Sequence, residues 1–105
     1  MISKDSVIYI AGYTGMVGSA CWRALESRGY KNLIGYSSKE LDLRDQRAVF
    51  ETLEREKPDA IIDAAAKVGG ILANSTQPYE FLMDNMLIQN NLIKAAHELD
   101  IKKFI

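Results

Sequence analysis

A parallel, doubly wound α/β sheet is the fold class this sequence predicts, on three observations. Short apolar runs alternate with helix-period segments along the chain, in the order strand, helix, strand, helix, strand, helix, strand. Two of the runs, "SVIYIA" (6–11) and "DAIIDAAA" (59–66), are nearly continuous in apolar residues, as strands buried on both faces are. No repeat, linker or low-complexity tract interrupts the 105 residues, so one small domain is expected. Crossovers in such sheets are right-handed, which gives half of a doubly wound sheet with strand order 3-2-1-4.

Each element has its own warrant. The β-branched and aromatic run at 6–11 reads as the first strand. "MVGSACWRALESRG" follows as a helix, with Val17, Ala20, Cys21, Ala24 and Leu25 on one face and Gly29 as its stop. "NLIGYS" (32–37) is the second strand. A second helix starts near Asp45, presents Val49, Phe50 and Leu53, and ends at Pro58. The third strand, 59–66, leads into the polar, glycine-bearing loop "KVGGILANSTQ". Pro78 suits the first turn of a long helix running to about Leu99. Its stripe is Phe81, Asn85, Ile88, Leu92, Ala95 and Leu99. A buried amide without partners costs roughly 1–3 kcal/mol, so Asn85 should be bonded, as a structural tie beneath a ligand site. "IKKFI" begins a fourth strand.

Composition narrows the function classes. Thirteen Lys and Arg face fourteen Asp and Glu with no basic block, so no nucleic-acid partner is expected. The single cysteine, Cys21, excludes an intrachain disulfide framework and reads as a small helix filler. "MISKDSVIYI" is no secretory signal. "FLMDNMLIQNNLI" is broken by Asp84, Asn85 and later amides, so no membrane span is expected. A cytoplasmic protein follows. His97, the one histidine, sits late on a helix and reads as structural. No base–orienter set accompanies Cys21 or His97, and no metal site is read.

"GYTGMVG" (12–18) carries the chemistry. This G-x-x-G-x-x-G ends a strand and opens a helix, the context that turns a glycine triplet into a Rossmann-type dinucleotide cradle. Gly12 permits a sharp turn, Gly15 lets the backbone approach a pyrophosphate, and Gly18 permits close helix packing. The helix N-terminus then supplies N–H groups and partial positive charge. A glycine-rich turn without ligand is the alternative. About 20 residues beyond Gly18 the second strand ends, where NAD binders carry a carboxylate for the ribose 2′-OH. Here stands "SSKE". Ser38 and Lys39 can donate to a 2′-phosphate, which favours NADP over NAD. Glu40 would become the ribose ligand after a small register shift, and a solvated loop is the plain alternative. In "LDL" (41–43), Asp42 can bond the adenine amino group while the leucines wall the ring, or can serve as a turn or cap residue. The alanines of "AAAKVGG" (64–70) give a smooth surface at a strand's carboxyl end, for a flat cofactor or for packing under a helix. Lys67 could face an anion or solvent, and Gly69 and Gly70 allow close approach.

Together, "IAGYTGMVGSA", "ELDLRD", "AAAKVGGILANSTQP" and "NNLIKAAHE" resemble the N-terminal part of GDP-L-fucose synthases. These belong to the extended short-chain dehydrogenase/reductase superfamily of sugar-nucleotide epimerases and dehydratases. The resemblance covers essentially the whole chain, and "AAAKVGG" with "ANSTQP" is its specific part. It implies an NADP(H)-dependent enzyme that epimerises C3 and C5 of GDP-4-keto-6-deoxy-mannose and reduces its C4 ketone. It also implies residue roles. Gly12, Tyr13, Thr14, Gly15, Met16, Val17 and Gly18 would hold the pyrophosphate. Ser38 and Lys39 would face the 2′-phosphate, and Asp42 and Leu43 the adenine. Ala64, Ala65 and Ala66 would line the ribose and nicotinamide, and Ile88 would touch the cofactor. Some members carry arginine where Thr14 and Ser38 stand, which shifts the weight of NADP preference to Lys39. The family's catalytic Ser, Tyr and Lys, and its epimerising Cys and His, have no counterparts in these 105 residues. The expectation is therefore a truncated NAD(P)-binding domain over 1–105, without the sugar-nucleotide domain and without turnover. An open edge at the fourth strand predicts a homo-oligomer or a marginal fold. Rival readings are another NAD(P)-dependent sugar-nucleotide epimerase or dehydratase, and a non-catalytic dinucleotide-binding module.

Overall fold

The computed structural model describes residues 2–65 and 78–105. The expectations for Ala66, Lys67, Gly69 and Gly70 lie outside these residues, as does the side chain of Phe81. The elements are β1 (Val7–Ala11), α1 (Met16–Ser27), β2 (Asn32–Ile34), α2 (Gln46–Glu56), β3 (Ala60–Asp63), α3 (Pro78–Glu98) and β4 (Lys103–Phe104). All strand pairs are parallel. Ile8 faces Leu33 on one side and Ala60 on the other, and Ile61 faces Phe104.

The sheet order is β2-β1-β3-β4, which corrects the expected 3-2-1-4. Burial gives the reason. Ala60 and Ile61 are 1% and 0% exposed and need neighbours on both sides, which an interior position provides. β2 is three residues long, opens on exposed Asn32, and sits at the margin of the described sheet. The chain thus leaves β1 toward β2, then returns over β1 to lay β3 on its other side. That reversal opens a crevice at the carboxyl ends of β1 and β3, where open α/β sheets bind ligands.

Two apolar layers clamp the sheet. On one face Ile8, Ile10 and Ala60 pack with Trp22 and Leu25 of α1. On the other, Tyr9 and Ile61 pack with Val49 and Leu53 of α2 and with Ile88, Leu92 and Ala95 of α3. The second face is therefore shared by two helices. The inward face of α1 also differs from expectation. Gly18 is buried and Trp22 and Leu25 continue its line, while Val17 is 52% exposed and Ala20 and Ala24 face water. Contact between Gly18 and the backbone of Gly12 sets the helix rotation, and apolar count alone does not reveal that.

The helix ends follow their sequences. At the end of α1, Gly29 N–H donates to Glu26 O and Tyr30 N–H to Leu25 O, both at 3.1 Å, with Gly29 at φ +93°. This pair of hydrogen bonds with a left-handed glycine is the Schellman stop. Asp45 caps α2 by accepting from Ala48 N–H at 3.1 Å, and Lys57 in the left-handed region ends it one residue before Pro58.

Candidate dinucleotide site

The site begins where β1 stops. Gly12 turns the chain at φ +77°, and a Cβ there would lie 2.6 Å from Ala64 O and Ala65 Cα. The turn thus presses against the end of β3, where Ala64 N–H donates to Ala11 O at 2.9 Å. Gly15 N–H donates to Gly12 O at 3.0 Å and closes the turn. Gly15 is the N-cap of α1 and supplies no side chain to it, and the first turn holds no acidic residue. The N–H groups of Met16, Val17 and Gly18 therefore open the helix without intrahelical acceptors, at the positive end of its dipole. A Cβ on Gly18 would lie 2.0 Å from Gly12 O. This third glycine seats the helix on the turn itself, not on the sheet.

A cavity of about 550 Å³ opens in front of this turn, within the range of cofactor pockets. Gly12, Thr14 and Gly15 form its inner wall, and Ala64 and Ala65 the wall at β3. Tyr36 and Ser38 reach it from the end of β2, the segment Leu41 to Arg44 closes one side, and Ile88 of α3 is opposite. Ten of the sequence-derived positions are thus gathered by the fold. Others are not. The Tyr13 ring packs on Trp22, centroids 5.3 Å apart, and against Gly35, whose Cβ would lie 2.5 Å from its Cδ1. The side chains of Met16 and Val17 are largely exposed, so N–H groups are what these positions offer. Lys39 is exposed and does not line the cavity. Glu40 is engaged within its own turn. Its carboxylate accepts from Ser37 N–H at 2.8 Å while its own N–H donates to Ser37 Oγ at 3.3 Å, so it is tied into its turn.

Asp42 is engaged within its own loop. It is a turn residue, accepting from Arg44 N–H at 3.0 Å, and it also lines the cavity. Arg44 grips the same carboxylate with Nε at 3.0 Å and Nη2 at 3.1 Å. These bonds hold the Asp42 carboxyl below its ordinary range. A carboxyl lowered on folding adds stability above its unfolded pKa, and that contribution is lost as pH falls through the folded value. At an exposed pair the effect is small.

Sequence reasoning missed Tyr36 and Arg44. The Tyr36 ring lies 6.3 Å from that of Tyr9, tilted by 47°, and its hydroxyl donates to Glu56, a bond that raises the Tyr36 pKa, with burial adding to it. The signals were present: an aromatic at a strand's carboxyl end, and Asp and Arg two apart in a loop. Sequence reasoning singled out Asn85 on α3 and passed over Asn91. Asn85 is half-buried and engaged with a partner; Asn91 is 7% exposed and donates from Nδ2 to Leu43 O at 2.9 Å. Asn91 is the tie that fastens the cavity wall to α3. Replacing it by Ala strands the Leu43 carbonyl and is expected to cost about 2 kcal/mol, read as a lower urea midpoint. An unchanged midpoint would remove Asn91 from this role. Among the described residues there is no helix long and apolar enough to cross a membrane, and no group of three metal-ligating side chains.

Comparison with known proteins agrees with this geometry. The chain is 48% identical over 104 residues to the GDP-L-fucose synthase of Escherichia coli (strain K12), covering 99% of this chain and 32% of that protein. It is 45% identical to GDP-L-fucose synthase 1 of Arabidopsis thaliana, covering 100% of this chain and 32% of the relative. It therefore spans about a third of the length of the curated relatives it matches. Among solved structures, the GDP-mannoheptose C4 reductase of Campylobacter jejuni with NADP bound superposes with a TM-score of 0.93 at 36% identity, over 99% of this chain and 33% of that one. A GDP-L-fucose synthetase from Naegleria fowleri bound to NADP gives 0.82 at 31%, over 98% and 31%. Residues 8–105 match the description "NAD dependent epimerase/dehydratase family" along nearly their whole extent, and the chain belongs to that family.

Proposed function

We propose that this chain is the NADP-binding part of a GDP-L-fucose synthase-type enzyme, one that epimerises and reduces GDP-4-keto-6-deoxy-mannose. The observation that carries the reading is the glycine turn with its uncapped helix N-terminus, opening on the 550 Å³ cavity. NADPH, when bound, supplies the hydride for ketone reduction. The residues present suit such a group. The N–H groups at Met16, Val17 and Gly18 face a pyrophosphate with no side chain in the way. The hydroxyl of Thr14 stands with the glycine turn for the pyrophosphate, that of Ser38 donates to a 2′-phosphate, and the fastening of Glu40 keeps a carboxylate off it. Asp42 and Leu43 take the adenine, Ala64 and Ala65 leave room for the ribose and nicotinamide, and Ile88 covers the cofactor.

The 105 residues alone are proposed to lack turnover. Ketone reduction needs an acid near the carbonyl with a pKa matched to its task. The tyrosine that lines the cavity, Tyr36, has its hydroxyl committed to Glu56 and its pKa raised. Formation of GDP-fucose by the purified chain would overturn this part. Titration with NADPH and NADH tests the cofactor reading: NADPH should bind more tightly, and no binding of either would overturn it. A cytoplasmic homo-oligomer belongs to the same proposal. Tyr79, Leu82, Met83, Met86 and Ile93 give α3 an outward apolar stripe suited to association, each at least 40% exposed. A monomer by light scattering at high concentration would count against it.

A further inference from the structure

The Arg44 guanidinium is held on two elements at once. Nε and Nη2 donate to the two oxygens of Asp42, and Nη1 lies 3.8 Å from Asp84 Oδ2 on α3. Arg44 nevertheless lines the cavity, beside Leu41, Leu43 and Ile88. With its edges engaged by carboxylates, the group has a flat face left to offer. Its charge is already met by Asp42 and Asp84, so an incoming phosphate gains little there. A neutral, planar, π-faced group gains more, because a guanidinium stacks on such rings and a fixed one loses little freedom in doing so. We propose that Arg44 is a preset platform for the purine ring of the dinucleotide, placing the adenine end at the Asp42–Arg44–Asp84 corner and the phosphates at the glycine turn. Sequence reasoning gave the adenine to Asp42 and its flanking leucines without Arg44, and this inference rests on the dinucleotide reading above.

The test measures NADPH and NADH dissociation constants, by calorimetry, for the purified chain, Arg44→Ala and Arg44→Lys. Arg44 is half-exposed, so both variants should keep the thermal midpoint of the unsubstituted chain. Arg44→Ala should weaken NADPH and NADH by the same factor, about fivefold. Arg44→Lys, which keeps the charge but not the plane, should not restore the affinity. Unchanged affinity in both variants, or full rescue by lysine, would overturn the platform. A loss confined to NADPH would also overturn it, and would make Arg44 a 2′-phosphate reader. If the unsubstituted chain binds neither nucleotide, the dinucleotide reading itself fails and this inference falls with it.

Discussion

Gly18→Ala is expected to destabilise the chain by about 3 kcal/mol and to lower its thermal midpoint by about 15 °C. The cause is a collision with main chain. A Cβ at position 18 would stand 2.0 Å from Gly12 O, 2.6 Å from Gly12 C and 2.8 Å from Tyr13 Cα. Those atoms cannot swing aside as a side-chain tip would. Gly12 is held at φ +77° against Ala64 and Ala65, so a displaced turn would push on the end of β3. α1 would have to lift, and Trp22 and Leu25 would lose their packing on Ile8 and Ile10. For a domain whose whole stability is of order 5–15 kcal/mol, this is a large fraction. Thermal unfolding followed by circular dichroism decides it, and a midpoint shifted by only a degree or two would show that the turn can yield.

Gly15→Asp should do the opposite: keep the fold and abolish the cofactor. Gly15 has φ −79° and ψ 177°, a conformation open to any residue. A Cβ there meets Gly12 O at 3.5 Å, an ordinary contact. An aspartate at this N-cap can accept from the free N–H groups of the first turn and favours the helix dipole, so the midpoint should hold or rise by a few degrees. The same carboxylate occupies the donors proposed for the pyrophosphate and repels it. NADPH affinity should fall at least about 100-fold, the loss of roughly 3 kcal/mol of charge-assisted bonds. Calorimetric titration beside a melting curve reads both effects. Retained NADPH binding with a normal melt would mean that the glycine turn is not the cradle. One motif thus holds two kinds of glycine, one required by the fold and one free for a ligand.

Most of the local architecture was legible in the residues. The alternation of apolar runs and helix-period segments marked seven elements. Gly29, Asp45 and Pro58 punctuated the helices where the structure has its stops and caps. Strand ends were read too long. β2 stops at Ile34, since Gly35 lies under the Tyr13 ring and Ser37 enters its turn with Glu40. β3 stops at Asp63, whose carboxylate accepts from Ala65 N–H at 3.1 Å and bends the chain away.

The sequence by itself determined the parallel α/β class and the glycine turn, because each rests on local spacing or on a residue's own conformational range, and with its family resemblance it pointed to ten of the residues around the cavity. The tertiary structure alone decided the place of β3 beside β1, the rotation of α1, the role of Asn91, and the entry of Tyr36 and Arg44 into the site. These depend on contacts between residues far apart in the chain. Asn91 meets Leu43 across 48 positions, and Arg44 meets Asp84 from a loop to a helix. Periodicity records which side of an element is apolar; it carries no information about the partner that side will find.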